Sequence, residues 1–143
     1  MDPDRRAFIG VAAGLAVTAV LPSCASIAVL PVMPSDGMVR LSLSSHPRLL
    51  EPGGHVRLRR TDDGAQIDVL ALGGGAFAAL SPICTHRGCT VNVAGAHLLC
   101  PCHGSAYDRE GRVLRGPAER ALRRFQISAT PEGELVIRVE EGR

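Results

Sequence analysis

The chain has 143 residues, enough for one domain, and its formal net charge of +2 is close to neutral. It contains no Trp, one Tyr and three Phe, so Leu, Val, Ile and Ala must supply most of its core. The basic residues are all Arg, several of them in short groups without interleaved aromatic residues. This pattern argues against nucleic-acid binding and favours solvated strand faces, with a docking patch for an acidic partner as the alternative. These groups are Arg57, Arg59 and Arg60, and Arg120, Arg123 and Arg124.

The N-terminal segment begins with Arg5 and Arg6, which precede an uncharged, largely apolar stretch over residues 7–35. It resembles a twin-arginine export signal, and this resemblance implies that the domain works on the periplasmic side of the cytoplasmic membrane. Three fates remain open: a retained helical anchor, lipidation at Cys24, and simple cleavage. Export of an already folded chain favours a cofactor that is inserted beforehand.

Residues 30–37 contain two prolines and a glycine, and we interpret them as a linker. The predicted division is therefore an export signal, membrane anchor and linker over residues 1–37 and one domain over residues 38–143. Beyond the linker, six β-rich segments are separated by glycine-containing turn signals, and no segment has a convincing helical period. They are residues 39–43, 56–60, 67–72, 77–80, 124–128 and 135–139. The predicted fold class is all-β, with small antiparallel sheets preceded by an N-terminal hydrophobic helical segment.

Two short stretches between these strands carry the chemistry: CTHRGC at residues 84–89 and CPCHGSAYD at residues 100–108. A zinc site could use the first cysteine and the histidine of each stretch. An iron–sulfur cluster held by four thiolates would leave both histidines idle, and the plant-type cysteine spacing is absent. A two-iron, two-sulfur cluster held by thiolates and imidazoles would use both residue types. The residues alone leave these alternatives open.

The two stretches resemble the cluster loops of the Rieske iron–sulfur proteins, in the high-potential, disulfide-containing branch that includes the Rieske subunits of cytochrome bc-type complexes. The resemblance is carried by Cys84, His86, Gly88, Cys89, Cys100, Pro101, Cys102, His103, Gly104, Ser105, Tyr107 and Asp108, with Gly116 and Pro117 as a third loop. It implies a [2Fe-2S] cluster whose ligands are Cys84 and Cys100 on one iron and His86 and His103 on the other. It also implies a disulfide between Cys89 and Cys102, which an exported protein would keep oxidised.

The resemblance also identifies residues that tune the cluster without binding it: Ser105, Tyr107, Gly104 and Pro117. Ser105 is expected to donate its hydroxyl hydrogen to a bridging sulfide, and Tyr107 to the sulfur of Cys84. Both hydrogen bonds would stabilise the reduced state and raise the reduction potential.

The function that the resemblance implies is electron transfer, with no catalysis expected from the chain alone. In bc-type complexes the exposed histidine ligands take an electron and a proton from quinol, and the electron passes to a c-type cytochrome. Here His86, His103 and Arg87 are expected to contact quinol and a cytochrome b-like membrane subunit. Arg87 departs from the apolar residue usual in bc-type subunits and resembles oxygenase-type domains.

Three other functions are considered. One is the small Rieske subunit of an exported molybdenum oxidase similar to arsenite oxidase, which would bind that enzyme's large subunit. Another is a free-standing periplasmic or lipid-anchored electron carrier. The third, from a different class, is a redox-sensing or structural metal domain.

Overall fold

The structure, a computed structural model, describes residues 28–139. Arg5, Arg6 and Cys24, on which the export and lipidation predictions depend, lie outside the described residues, as does most of the predicted hydrophobic segment. None of the helices within residues 28–139 has the length and apolar character that a bilayer span requires.

Residues 28–139 form eleven strands and two short 3-10 helices, at Leu43–Ser45 and Pro47–Leu50. The strands are β1 Val29–Val32, β2 Met38–Ser42, β3 His55–Arg60, β4 Gln66–Gly73, β5 Ala76–Leu80, β6 Asn92–Ala94, β7 His97–Leu99, β8 Ala106–Asp108, β9 Val113–Arg115, β10 Arg124–Ala129 and β11 Glu134–Arg138. One sheet has seven strands in the order β1-β3-β4-β5-β10-β11-β2, and the other has four in the order β6-β7-β8-β9. The all-β prediction is confirmed for these residues.

The six predicted strands correspond to β2, β3, β4, β5, β10 and β11, which pair antiparallel with their neighbours in the larger sheet. The linker interpretation of residues 30–37 is wrong at its start, because Val29–Val32 forms β1 and pairs in parallel with β3. Leu30 and Val32 pack against the main core. Pro31 is tolerated because β1 is an edge strand, where a missing N–H costs no ladder hydrogen bond.

The smaller sheet and its loops pack against one end of the larger sheet. Their shared apolar cluster joins Leu70, Ala78 and Leu80 of β4 and β5 to residues of the loops and the small sheet. Those residues are Cys84, Val91, Leu98, Cys100, Tyr107, Ala118 and Leu122. Two of the predicted ligands are therefore part of a hydrophobic core, which holds their backbone in place.

A buried ion pair connects the larger sheet to the first Cys/His stretch. Arg57 on β3 faces Asp68 on β4, and the guanidinium donates two hydrogen bonds to the carboxylate at 2.6 and 2.7 Å. The same guanidinium donates to the carbonyl of Val91 at 2.8 Å. The prediction that Arg57 lies on a solvated face is wrong, since only 6% of Arg57 and none of Asp68 is exposed. Burial of this charge is possible because a carboxylate and a carbonyl satisfy it.

Candidate metal centre

The first cluster loop, residues 84–89, is a tight turn closed by two backbone hydrogen bonds. The N–H of Cys84 donates to the carbonyl of Cys89 at 2.8 Å, and the N–H of Gly88 donates to the carbonyl of Cys84 at 2.9 Å. Gly88 has a φ of 79°, a conformation that glycine adopts without the steric cost that a side chain brings. The glycine in CTHRGC is thus required by the shape of the turn.

The second cluster loop, residues 100–105, repeats this hydrogen-bond ring in a different sequence. The N–H of Cys100 donates to the carbonyl of Ser105 at 2.8 Å, and the N–H of Gly104 donates to the carbonyl of Cys100 at 3.1 Å. Gly104 has a φ of 78°, close to that of the glycine in the first loop. Both stretches therefore form the same local scaffold, and each presents the thiol of its first cysteine.

A disulfide between Cys89 and Cys102 joins the two loops, with the Cα atoms 6.5 Å apart. This is the pair that the Rieske resemblance implies. The sulfur of Cys100 lies within 4.8 Å of both, but two of these three sulfurs are bonded to each other and are not free to bind metal. Among the described cysteines, only Cys84 and Cys100 keep free thiols, and both are buried.

The two histidines of the loops lie side by side. The rings of His86 and His103 are 4.9 Å apart in an edge-to-face arrangement, and His103 is exposed whereas His86 is half-buried. Nδ1 of His86 is buried and has no hydrogen-bond partner, an unusual state for a buried polar atom. Two buried thiols and two imidazoles, one with an unpartnered nitrogen, match the donor set of a Rieske cluster.

Tyr107 is fully buried on β8 and reaches the thiol of Cys84 from behind the first loop. Its Oη lies 3.3 Å from Sγ of Cys84 and 3.1 Å from Oγ1 of Thr85, and it accepts the Thr85 N–H at 3.2 Å. The Thr85 hydroxyl donates to the carbonyl of Arg120 at 2.6 Å. Since that bond uses the only hydroxyl hydrogen of Thr85, the Tyr107 hydroxyl is left as the donor, and its single hydrogen can be directed at the cysteine sulfur or at the threonine oxygen.

These contacts change the acidity of both groups. Burial, the largest influence, raises the pKa of Cys84, but hydrogen bonds from Tyr107, the His86 and Arg87 amides and the Cys100 side chain outweigh it, so the pKa lies below its usual value. Burial and the hydrogen bond to Cys84 raise the pKa of Tyr107. The surroundings of Cys84 therefore make its thiolate more accessible than in an isolated cysteine, and the thiolate is the form that binds metal.

Ser105 is also fully buried, and its Oγ accepts the N–H of Ala118 at 3.0 Å. Because this bond occupies a lone pair, the hydroxyl hydrogen of Ser105 stays available for donation. Pro117, preceded by a cis peptide bond, lies next to Ala118, and the carbonyl of Gly104 accepts the Nε–H of Arg115 at 3.0 Å. The tuning roles predicted for these residues fit the positions found, and they stay predictions.

Sequence reasoning missed Thr85 and Arg57. Thr85 ties the first cluster loop both to Tyr107 and to the segment at residue 120, yet nothing in its spacing distinguishes it from an ordinary loop residue. A signal for Arg57 was present in Asp68, an acidic residue within the apolar run of β4, because an isolated charge in a buried strand requires a partner.

Residues 46–126 match the Rieske [2Fe-2S] domain family. The chain belongs to the Rieske family. Membership, together with the donor set described above, implies a Rieske [2Fe-2S] cluster as the cofactor of this Rieske protein.

Curated relatives share this domain. The Rieske protein is 29% identical over 148 residues to the cytochrome b6-f complex iron–sulfur subunit of Chlorobaculum tepidum, covering 97% of this chain and 77% of the relative. The corresponding subunit of Synechococcus elongatus is 46% identical over 59 residues, which span 40% of this chain but only 33% of that relative. The stronger similarity is thus confined to about a third of the cyanobacterial protein.

Two solved structures have a similar fold. The plasma membrane Rieske protein of Synechocystis PCC 6803 aligns with a TM-score of 0.54 and 28% identity, over 66% of this chain and 89% of that protein. A chain from the complex of reduced oxygenase and oxidised ferredoxin in carbazole 1,9a-dioxygenase aligns with a TM-score of 0.60 over 76% of this chain and 99% of its own length. Its identity of 24% shows a shared fold and nothing more.

Proposed function

We propose that this Rieske protein is the electron-transfer subunit of a quinol-oxidising, membrane-associated cytochrome bc-type complex and that its cluster has a high potential. The proposed ligands are Cys84, His86, Cys100 and His103. The observation that carries the proposal is the buried, unpartnered Nδ1 of His86, beside the second imidazole and in a site with two buried free thiols. When bound, the cluster accepts and returns one electron.

The protein groups around the ligands support a high potential. Tyr107 is placed to donate a hydrogen bond to the sulfur of Cys84, and Ser105 has a hydroxyl hydrogen to spare. Donors near sulfur stabilise the added negative charge of the reduced state. The disulfide between Cys89 and Cys102 is also a feature of the high-potential branch.

The proposed partners are a cytochrome b-like membrane subunit, which supplies quinol-derived electrons, and a c-type cytochrome that accepts them. His86, His103 and Arg87 are the proposed contacts, and the exposure of His103 and Arg87 leaves them accessible to a second protein. The named relatives are cytochrome b6-f subunits, which supports this assignment over the molybdenum-oxidase alternative.

Location on the periplasmic side is part of the proposal and rests on Arg5 and Arg6, with anchoring by a helix predicted from the N-terminal hydrophobic segment or by a lipid on Cys24. Replacement of both arginines by lysine should leave the protein in the cytoplasm. Purification from native membranes tests the partners, because a co-purifying b-type haem supports quinol oxidation. A co-purifying molybdenum cofactor would contradict the bc-type assignment.

The cluster itself is tested by metal analysis and EPR of the purified, dithionite-reduced protein. We expect iron and acid-labile sulfide in equal amounts and the EPR signal of a reduced [2Fe-2S] centre. His86→Cys should lower the potential or abolish the cluster. The matched control is His97→Cys, which replaces an exposed histidine at the start of β7 and should leave the EPR signal unchanged. Zinc in place of iron would refute the proposal.

A further inference from the structure

Three arginines surround the cluster tip, which we define as residues 84–89, 100–105 and 115–120. Arg87 is exposed in the first cluster loop. Arg115 is exposed and donates its Nε–H to the carbonyl of Gly104, next to the ligand His103 of the second loop. Arg120 is exposed, and its carbonyl accepts the hydroxyl of Thr85, two residues before Arg87. We call Arg87, Arg115 and Arg120 the tip arginines.

Among residues 28–139, no acidic side chain forms a salt bridge with the tip arginines. Within residues 28–139 the salt bridges involve Arg57, Arg60 and Arg112. The cluster tip contains one acidic residue, Glu119. The surface from which the electron would leave or enter is therefore locally positive, although the whole chain has a formal charge of only +2.

Charge at an electron-transfer tip selects the partner. An apolar or basic surface pressed against the tip would remove arginines from water without a counter-charge, which is unfavourable. An acidic surface would compensate them and would steer the encounter, since complementary charge raises association rates by about 10- to 1000-fold at low salt. We propose that the electron acceptor of this Rieske protein is a redox protein with an acidic docking surface, which binds at the tip arginines. This inference rests on the proposed electron-transfer function.

A matched pair of acceptors tests it: a basic c-type cytochrome and the same cytochrome after succinylation of its lysines, which share a fold and a haem but differ in surface charge. Oxidation of the reduced, cluster-containing protein is followed by stopped-flow absorbance. The succinylated acceptor should react about tenfold faster than the basic one at about 10 mM salt, with the gap closing near 0.5 M as screening shortens the Debye length. An advantage for the basic acceptor would overturn the proposal.

Variants that lack surface arginines test whether the tip arginines cause the preference for the succinylated acceptor. Arg87→Gln/Arg115→Gln/Arg120→Gln should abolish the preference for the succinylated acceptor. The control triple variant Arg40→Gln/Arg59→Gln/Arg138→Gln removes the same charge from exposed positions on β2, β3 and β11, and it should retain the preference. Equal loss in both triple variants would show that net charge alone acts and would refute a tip site.

Two further measurements separate the possible failures. The EPR signal and midpoint potential of each variant show whether the cluster is intact; absence of a [2Fe-2S] centre in the unmodified protein would refute the proposed function, whereas an intact centre without charge preference refutes only this inference. Sedimentation with phosphatidylserine vesicles tests an anionic lipid surface instead. If vesicle binding requires the tip arginines and the two cytochromes react equally fast, the partner of the tip arginines is an anionic membrane and not an acidic protein. That result would refute the proposal.

Discussion

The buried pair of Arg57 and Asp68 provides a sharp test of how the sheet supports the cluster site. Asp68→Asn keeps the shape of the side chain but removes its charge, and so leaves a guanidinium buried without a counter-ion. Both side chains are almost inaccessible, with 7% and 0% exposure, so solvent screening does little to reduce the cost. Breaking a buried ion pair by removing one partner costs about 3–5 kcal/mol.

The effect should extend from the larger sheet to the first cluster loop. The guanidinium also donates a hydrogen bond to the carbonyl of Val91. The N–H of Val91 in turn donates to the carbonyl of Pro82 at 2.8 Å. This bond closes the base of the first loop beneath the bridge between Ile83 and Thr90. A guanidinium that loses its carboxylate would shift towards water and release the loop base.

The assay is thermal unfolding of the cluster-containing protein by far-UV circular dichroism at one fixed scan rate, since loss of the cluster makes unfolding irreversible. Asp68→Asn should lower the Tm by at least about 10 °C and shorten the lifetime of the visible cluster absorbance. The control is Asp63→Asn, the same chemical change at a pair with Arg60 in which the carboxylate is 48% exposed. Such surface pairs contribute about 0–1 kcal/mol, so its Tm should stay close to that of the original protein.

The double variant Arg57→Met/Asp68→Leu separates charge from packing. Replacing both members of a buried pair by apolar residues is often neutral or stabilising, although the carbonyl of Val91 loses a donor at a cost of about 1–3 kcal/mol. The double variant should therefore be more stable than Asp68→Asn. A Tm for Asp68→Asn within about 3 °C of the original protein, or a double variant no better than the single one, would refute the reasoning.

Three other predictions concern the disulfide between the two cluster loops, the reduction potential of the cluster and the pH dependence of stability. Cys89→Ser/Cys102→Ser opens a link of sequence separation 13 and should lower the free energy of unfolding by about 3 kcal/mol, measured by urea denaturation of apoprotein with and without the link. Tyr107→Phe removes the hydroxyl 3.3 Å from Sγ of Cys84 and should lower the midpoint potential by about 20–60 mV in a redox titration, the equivalent of one modest hydrogen bond. Burial, the largest cause, lowers the pKa of His55 from 6.5; the unfolded chain then binds this proton more readily, so stability falls as pH drops below about 6.5. His55→Gln should flatten that loss in Tm measurements between pH 7 and 5.

A specific result would contradict each of these three predictions. Unchanged stability without the disulfide would mean that packing alone holds the two loops together. A potential unaffected by Tyr107→Phe would mean that the hydroxyl donates to Thr85 rather than to the cysteine sulfur. For the pH series, a Tm that falls equally with and without His55 would place the responsible proton elsewhere.

The sequence predicted the long strands well because their apolar positions and flanking glycine turns are local signals. The strands β6, β7, β8 and β9 contain three residues each, too few to show a period of two. They exist because the loops between them pack on Tyr107 and the end of the larger sheet, which is a tertiary effect. For β1, two prolines in the segment obscured a strand whose partner is distant in the sequence.

The candidate site was predictable to the extent that its residue types are chemically constrained. Cysteine and histidine at these spacings have few other uses, whereas an arginine fits many environments. Arg57 and Arg59 are both in β3 and read alike in the sequence, yet one is buried against Asp68 and the other is exposed. What distinguishes Arg57 is its contact with Asp68 and with the carbonyl of Val91, two partners distant in the sequence that local pattern does not contain.

The residues of CTHRGC, at positions 84–89, differ in whether they contact the protein interior or face solvent. Residues that face inward meet fixed partners: the thiol of Cys84 meets Tyr107, Thr85 meets the carbonyl of Arg120, and Cys89 is bonded across to the second loop. The side chain of Arg87, by contrast, is exposed beside the proposed ligand His86, and it is the backbone amide of Arg87 that hydrogen-bonds to Cys84. Changes at Arg87 should therefore alter partner choice while leaving the potential nearly unchanged, whereas changes at Tyr107 should do the reverse. If both expectations hold, electron affinity depends on the contact between Cys84 and Tyr107, and docking specificity depends on Arg87.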